Sequence, residues 1–222
     1  MRGVYVVLGV VALAGGGWLV YSASHRSGDA PRATHPVPVI AASDAFHGFT
    51  LGSDSAPVEI TEYSDFECPW CAAFATVQMP VVKEQLIVTR KVHWRYRDFP
   101  LSVHRHSRLA ALAAQCAGEQ GKFWEMHDQL FTHHDWAQTD KDPQSVFRGF
   151  AKTIGLDTDK YDACVEGQRY AGRIEASYQE GEARDVQGTP TFFVDGRKFK
   201  GSPTSDALKA LVDSLIAARR KG

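Results

Sequence analysis

PVEITEYSDFECPWC, residues 57–71 of a 222-residue chain, combines two local patterns. Its first part is rich in β-branched and aromatic side chains after an opening proline, which predicts a strand. Its end places Cys68 and Cys71 on either side of Pro69 and Trp70. Proline fits the first position of a helix, because no N–H donor is needed there. The stretch therefore predicts a strand that leads into a helix beginning at the cysteine pair.

Further helical and strand patterns continue along the chain from this beginning. A helix is expected from Pro69 to about Val88, with Pro80 kinking or dividing it. A second strand is expected over residues 91–99, and residues 103–185 contain four or five helical stretches without a convincing strand. The order so far is strand, helix, strand and a helical block.

The end of the chain predicts a hairpin and a final helix. TPTFFVDG and RKFKG meet at Asp195 and Gly196, and an Asp-Gly pair supplies the positive φ angles of a two-residue turn. An amphipathic helix is expected from about Thr204 to Arg219. The complete order is an α/β pattern with a helical insertion at about residues 103–185.

The N-terminus carries an export segment of one of two kinds. Residues 1–24 hold a single charged side chain and a long apolar run, so this segment enters a membrane. Small residues at Ser22 and Ser24 suit a signal peptidase, whereas the length of the run favours an uncleaved anchor, which we prefer. Residues 25–45 contain three prolines and predict a flexible tether to a folded domain over residues 46–222. Either kind of segment places the domain outside the cytoplasm.

Composition and motifs limit the classes of partner. The formal net charge is −1, from 25 basic and 26 acidic residues, so no overall field attracts nucleic acid. The sequence contains no phosphate loop or dinucleotide fingerprint, and we expect neither a cofactor nor a metal. Two close pairs of histidines are interpreted as solvated residues of helix surfaces rather than metal ligands: His104, His106, His133 and His134.

Cys68 and Cys71 have the spacing and position of a redox pair. A disulfide across so short a loop restricts the unfolded chain little, so it is a poor structural staple. At the start of a helix, unpaired N–H groups and the helix dipole stabilise the Cys68 thiolate and lower its pKa. Cys71 lies one turn later on the same side and can attack a mixed disulfide on Cys68. The alternatives are half of a zinc site, for which the sequence offers no further ligand pair, and an inert buried pair.

Cys116 and Cys164 both fall in the helical block, 48 residues apart. In an exported protein they can form a structural disulfide, which the loop-entropy model values at about 4 kcal/mol. The alternative is a second redox relay that serves the first pair. Neither cysteine has a helix-start signal, and their distance in space does not follow from the sequence.

The motifs PVEITEYSDFECPWC and GTPTFFVDGRKFKG together resemble those of the exported DsbA-like oxidoreductases of the thioredoxin superfamily, in the subgroup that often carries an extra cysteine pair. The resemblance covers roughly residues 46–220, with the helical insertion between the two motifs. It implies a thioredoxin fold with a helical insertion and thiol-disulfide exchange as the activity. It also implies that Cys68 is the exposed nucleophile and Cys71 the buried resolving cysteine.

The resemblance assigns five further positions. Pro190 would be the cis proline beside the disulfide, with Thr189 lining that contact, and both would bind an extended, cysteine-containing substrate. Pro69 and Trp70, between the two cysteines, would contribute to the same surface. Glu62 stands where the superfamily often keeps a buried carboxylate that exchanges protons with the resolving cysteine. A solvent-facing strand position is the alternative for this glutamate.

Three functional hypotheses follow. The first is a disulfide-forming oxidase that acts on exported proteins with free cysteines and is reoxidised by a membrane partner or a small oxidant. Residues 3–24, if uncleaved, would hold it at the membrane. The second is a reductase or isomerase of the same fold. Trp70 stands where DsbA has a histidine, and a threonine such as Thr189 also precedes the cis proline in isomerase and reductase relatives. The third is an anchored, chaperone-like binding module.

Overall fold

The computed structural model describes residues 46–139, 141–200 and 203–221. The segment expected to enter the membrane and the expected tether, residues 1–45, lie outside this part of the chain. Among the described residues, no helix combines the length and the apolarity needed to cross a bilayer.

Within the described residues, a five-stranded mixed sheet forms the centre of the fold. In chain order its strands are β1 Phe49–Leu51, β2 Val58–Ser64, β3 Val92–Asp98, β4 Thr191–Val194 and β5 Arg197–Lys198. Their spatial order is β1-β3-β2-β4-β5, with β2 and β3 parallel and the other neighbours antiparallel. The strands expected before the cysteine pair and over residues 91–99 are confirmed as β2 and β3, and the structure shows that they pair in parallel at the middle of the sheet.

Helices follow the two parallel strands and close the chain. In chain order they are α1 Pro69–Ala73, α2 Met79–Val82, α3 Ser107–Glu119, α4 Phe123–Thr132, α5 Gln144–Thr153, α6 Thr158–Glu166, α7 Ala171–Ala183 and α8 Ser205–Arg219. A short 3₁₀ helix, His134–Gln138, follows α4 and was not expected from the sequence. Helices α3 to α7 form the helical insertion, as the sequence predicted.

The helix that starts at Pro69 is modified near Pro80 rather than broken. Two π-helical turns, Phe74–Gln78 and Lys83–Ile87, lie on either side of α2. Proline has no N–H to donate within a helix, and a widened turn is one way to accommodate this. Helical backbone therefore runs from the cysteine pair to the end of the second widened turn.

The hairpin and the final helix have the turn and cap that their sequences predict. Asp195 and Gly196 have φ angles of 46° and 75°, which a two-residue turn between antiparallel strands requires. The Thr204 hydroxyl accepts a hydrogen bond from the Ala207 amide at 3.2 Å and caps α8. These contacts fix the edge of the sheet and the helix that packs against it.

Strand β1 was not predicted from the sequence. Its three residues pair with β3, and the Phe49 ring stacks on Phe123 with centroids 3.6 Å apart. Three residues are too few to show a strand periodicity. The strand exists because the edge of β3 and the aromatic surface of α4 are available to it.

Successive side chains of β2 point to opposite faces of the sheet and therefore pack in two different cores. Tyr63 packs on one face of the sheet with Phe99 and Phe193. Glu62 and Ser64 point to the opposite face, where the cysteine pair and the main apolar clusters lie. Two polar side chains are therefore buried beneath the start of α1.

Candidate active site

The cysteine pair sits at the junction of β2 and α1. Cys68 is the N-cap residue of α1, with extended backbone angles of −73° and 122°, and Pro69 occupies the first helical position. The Ala72 amide donates to the Cys68 carbonyl at 3.0 Å, which begins the helix. The sulfur of Cys68 therefore lies at the positive end of the helix dipole, as the sequence predicted.

Cys68 is less accessible than the resemblance implied. Its exposed fraction is 4%, and its Sγ donates to the Thr189 carbonyl at 3.3 Å. The expectation of an exposed nucleophile is wrong for this conformation, because the segment before Pro190 lies against the sulfur. The Thr189–Pro190 peptide bond is cis. Trp70, by contrast, is 75% exposed and forms the open part of the site.

The surroundings of Cys68 favour its thiolate. A hydrogen bond from the Cys71 side chain, together with the Thr189 hydroxyl and the Cys71 and Trp70 amides, lowers the pKa of Cys68 to about 5. Burial acts in the opposite direction but is outweighed. The Thr189 Oγ1 atom is buried and has no hydrogen-bond partner among the described residues, so it is free to donate to a Cys68 thiolate.

Cys71 has the opposite character. Its side chain is fully buried, and burial raises its pKa well above the ordinary value, with the neighbouring Cys68 adding to the effect. The pair thus combines one sulfur that is ionised near neutral pH with one that holds its proton. This division suits a nucleophile and a resolving thiol.

Glu62 is buried beneath the pair rather than solvent-facing. It is 2% exposed, and Trp94 Nε1 donates to its carboxyl at 3.2 Å. Burial raises the pKa of Glu62 to about 7, and the Trp94 hydrogen bond only partly offsets this. A carboxyl that is half-protonated at neutral pH can give or take a proton there.

Asp65, which the sequence analysis did not single out, holds the turn before Cys68 in place. Its buried carboxylate accepts hydrogen bonds from the Glu67 amide at 2.9 Å and the Leu101 amide at 2.8 Å. It also accepts from the Ser107 hydroxyl at 2.6 Å and lies 2.7 Å from His104 Nδ1. The sequence signal that could have indicated this role is a polar residue directly after a predicted buried strand.

The interpretation of the histidines as solvated helix residues is wrong for three of the four. His104 bonds Asp65, His106 Nε2 lies 3.0 Å from the Thr139 carbonyl, and His134 Nε2 lies 2.9 Å from the Phe66 carbonyl. His104 and His134 thus join the insertion to the segment before Cys68, whereas the His106 ring bonds within the insertion. Only His133 is exposed, and its ring stacks near Phe150 with centroids 5.6 Å apart.

A disulfide joins Cys116 of α3 to Cys164 of α6, with a Cα–Cα distance of 5.8 Å. Both cysteines lie within their helices and are buried in the core of the insertion. The other two cysteines are free thiols. Among the described residues, no group of three or more His, Cys, Asp or Glu side chains is arranged to hold a metal ion.

The family model described as thioredoxin matches residues 45–214. The chain belongs to the thioredoxin family. The free cysteine pair at the start of α1 is an arrangement that suits thiol-disulfide exchange.

Solved structures share this fold. BdbD of Bacillus subtilis has a TM-score of 0.70 and 22% identity, covering 81% of this chain and 98% of that one. Wolbachia pipientis alpha-DsbA1 has a TM-score of 0.69 and 21% identity, covering 76% and 90%. DsbG of Mycobacterium tuberculosis has a TM-score of 0.62 and 24% identity, covering 75% and 86%. At these identities the likeness concerns the fold.

Curated relatives are longer proteins that are named as antiporters. The Na(+)/H(+) antiporter NhaA 3 of Salinispora tropica is 36% identical over 211 residues, which are 91% of this chain and 31% of that protein. The Na(+)/H(+) antiporter NhaA 1 of Mycobacterium sp. (strain KMS) is 37% identical over 171 residues, 76% of this chain and 26% of that protein. The chain thus spans about a third or less of the length of these relatives, and their named activity is that of the longer proteins.

Proposed function

We propose that this chain is an exported oxidase that forms disulfides in extracytoplasmic proteins carrying free cysteines. The supporting observation is the pKa of Cys68, lowered to about 5 by the hydrogen bonds around its sulfur. A stabilised thiolate favours the reduced form of the pair. The oxidised pair is then a good acceptor of electrons from substrate thiols.

The proposed reaction is two successive exchanges. A substrate thiolate attacks Cys68 Sγ, the Cys68–Cys71 bond breaks, and Cys71 leaves as a thiolate that takes up a proton. The substrate's second thiolate then attacks the substrate sulfur of the mixed disulfide, and Cys68 leaves as a thiolate. Two electrons pass from the substrate thiols to the pair, so the enzyme ends reduced.

The substrate would bind along the surface around Trp70 and the proline turn. Trp70 offers an exposed apolar side chain, and Pro69 fixes the turn from which it projects. Thr189 and Pro190 are partly exposed and lead directly into β4, whose first residue is Thr191. An extended segment can lie there, but the Thr189 carbonyl must first give up its contact with the Cys68 thiol.

Export and regeneration are further parts of the proposal. The apolar run in residues 3–24 supports an extracytoplasmic domain that is anchored or secreted, in a periplasm or at the outer face of the cytoplasmic membrane. The reduced pair needs an electron acceptor, and a membrane protein or a small oxidant would supply that role. The near-neutral charge gives no reason to propose a nucleic-acid partner.

Reduction or isomerisation is the second candidate function. The observation that favours it is Trp70, an uncharged side chain at the position where a histidine would stabilise the thiolate further. Thr189, which lines the same contact, is compatible with either direction of electron flow.

A redox titration of the Cys68–Cys71 pair, combined with refolding of a reduced test protein, separates these functions. An oxidase is expected to accelerate oxidation and to have a potential above about −200 mV, whereas a value near about −270 mV favours a reductase. Cys68→Ser should abolish catalysis, with a loss of at least about a thousandfold. A binding module would instead retain its effect on refolding in this variant, which would contradict the proposal.

A further inference from the structure

His104 lies between β3 and α3, in the segment that connects the central sheet to the helical insertion. Its Nδ1 atom is 2.7 Å from Oδ2 of Asp65. The Asp65 side chain is fully buried, whereas that of His104 is 20% exposed. A buried carboxylate needs hydrogen-bond donors to offset its lost hydration. Because Asp65 precedes Cys68 by three residues, this contact places such a donor directly beside the redox site.

The other hydrogen bonds of Asp65 define the role of the imidazole. Oδ1 accepts from the Glu67 amide at 2.9 Å and the Ser107 hydroxyl at 2.6 Å, and Oδ2 accepts from the Leu101 amide at 2.8 Å. A carboxylate can only accept, so the Nδ1 atom of His104 carries a proton and donates it to Oδ2. Each carboxylate oxygen thus has two donors, and removal of the imidazole leaves Oδ2 with the Leu101 amide alone.

Asp65 connects this contact to Cys68 through the backbone. The Asp65 carbonyl accepts a hydrogen bond from the Cys68 amide at 3.1 Å, and the Cys68 carbonyl accepts the first bond of α1, from the Ala72 amide at 3.0 Å. The Cys68 sulfur in turn contacts the Thr189 carbonyl at 3.3 Å. An unbroken series of contacts therefore runs from the His104 ring to the reactive sulfur.

This series matters more for the reduced pair than for the oxidised one. In the disulfide, a covalent bond to Cys71 fixes the Cys68 sulfur. In the free dithiol of this structure, the place of that sulfur beside Thr189 depends on the turn that precedes it. A donor that holds the turn therefore stabilises the reduced form more than the oxidised form.

We propose that His104 is a positioning residue for thiol-disulfide exchange, which by holding the Asp65 carboxylate keeps the Cys68 sulfur beside Thr189 and at the start of α1. The inference rests on the exchange chemistry proposed above. His104 touches neither substrate nor sulfur in this role, and its N–H acts only as a donor to Asp65. Loss of this donor lowers both the preference for the reduced pair and the rate at which Cys68 exchanges.

Two further histidines lie near the same turn and define the controls. His134 Nε2 is 2.9 Å from the Phe66 carbonyl, so it holds backbone rather than a carboxylate. His106 reaches the turn only through its amide, which donates to the Glu67 carboxylate at 2.5 Å, whereas its ring lies 3.0 Å from the Thr139 carbonyl. The His106 ring can therefore be removed without removing a contact of the turn.

The first test is the reduction potential of the Cys68–Cys71 pair, measured by equilibration of the full chain with glutathione buffers. His104→Ala should lower the equilibrium constant for reduction of the pair about tenfold, a fall of about 30 mV. His104→Asn keeps an N–H donor on the atom attached to Cγ, as Nδ1 is, and should return this constant to within about threefold of wild type. His104→Gln carries its amide one bond further out and should restore less.

Kinetics and stability separate positioning from a purely structural role. A substitution that only weakens the fold destabilises the oxidised and reduced forms alike, so it lowers the unfolding midpoint and leaves the potential unchanged. With a reduced test protein as substrate, His104→Ala should lower kcat at least about tenfold and leave KM unchanged, because the exposed surface around Trp70 is intact. His106→Ala is the matched control and should keep the wild-type potential and kcat, although its ring loses a contact.

Three outcomes would overturn the positioning role. A wild-type potential and kcat in His104→Ala would show that the contact serves stability alone. A His104→Asn variant no better than His104→Ala would assign the effect to the charge or proton transfer of the imidazole. Equal losses in His106→Ala and His104→Ala would assign it to packing of the segment that both residues share.

The design also covers failure to fold and failure of the proposed function. If His104→Ala does not fold, the comparison of His104→Asn with His104→Gln decides in its place, because only the asparagine keeps the donor at the Nδ1 position. If the wild-type pair does not exchange with dithiols at all, the proposed function fails first, and that result is separate from the three outcomes above.

Discussion

The two cysteine pairs of this protein place the same kind of side chain in opposite settings. Cys68 and Cys71 stand at the first turn of α1, where Cys68 caps the helix. Cys116 and Cys164 lie within α3 and α6, and the two cysteines are 48 positions apart in the sequence. Backbone amides inside a helix are already bonded to carbonyls, so they leave no donors for a thiolate. Position relative to a helix end therefore distinguishes a reactive pair from a stable one.

Loop length reinforces the difference. Closing the 48-residue loop removes much of the freedom of the unfolded chain, whereas the short loop of the first pair removes little. The second pair can therefore contribute to folding without any catalytic role. The first pair contributes its redox chemistry, and its reduced form is the one that the surrounding hydrogen bonds favour.

The largest expected effect on the free energy of unfolding comes from removing the second pair. Cys116→Ala with Cys164→Ala should reduce the free energy of unfolding by about 4 kcal/mol, because the unfolded chain regains the freedom of the open loop. Denaturant titration of the variant and the wild type measures this loss. The rate of exchange at Cys68 should remain within about threefold of wild type, since that sulfur's hydrogen bonds come from other elements.

The matched control is Cys68→Ala with Cys71→Ala, in which exchange is lost and the unfolding free energy changes far less. A loss of exchange in the Cys116 and Cys164 variant, at unchanged fold, would show that the second pair takes part in the redox reaction.

Much of this arrangement follows from the sequence. The strand before Cys68, the helix start at Pro69, the Asp195–Gly196 turn and the helical insertion each have a local pattern that predicts them. The Cys116–Cys164 proximity does not, because it depends on how α3 packs against α6. Local patterns predict elements, whereas distances between elements come from packing.

The polar contacts of the site show the same limit. His104 and His134 contact the segment before Cys68 through Asp65 and Phe66, and His106 contacts Thr139; each partner is distant in sequence. The close spacing of histidines along the chain indicates only that they could share a helix surface.

An intermediate effect on stability is expected from Glu62, the buried carboxylic acid near the first pair. The pKa of Glu62 is raised from 4.5 to about 7 by burial, so the folded protein binds this proton more tightly than the unfolded chain. Stability is therefore lost as pH rises from about 4.5 to 7 and stays lost above that range. Glu62→Gln should recover up to about 3 kcal/mol at pH 8 and little at pH 4.5, as measured by denaturant titration.

Glu59, on the same strand, is the control of opposite sign. Burial alone would raise its pKa, but Arg95, with Nη2 2.6 Å from the carboxylate, holds it below the usual value. Its stabilising contribution is present at neutral pH and is lost in acid, so Glu59→Gln should lose stability at pH 8. A Glu62→Gln variant that also loses stability at pH 8 would contradict the burial argument.

The smallest effect concerns Trp70, which separates the two cysteines of the reactive pair. Trp70→His places an ionisable ring beside the Cys68 thiolate, and an imidazolium there should raise the reduction potential by about 30 mV, equivalent to about 1.4 kcal/mol. Little packing is lost, because the tryptophan side chain is 75% exposed. The shift should be present at pH 6 and largely absent at pH 8, where imidazole is neutral. Trp70→Phe keeps an uncharged ring and should leave the potential unchanged, and an equal rise in that variant would assign the effect to lost indole contacts instead of charge.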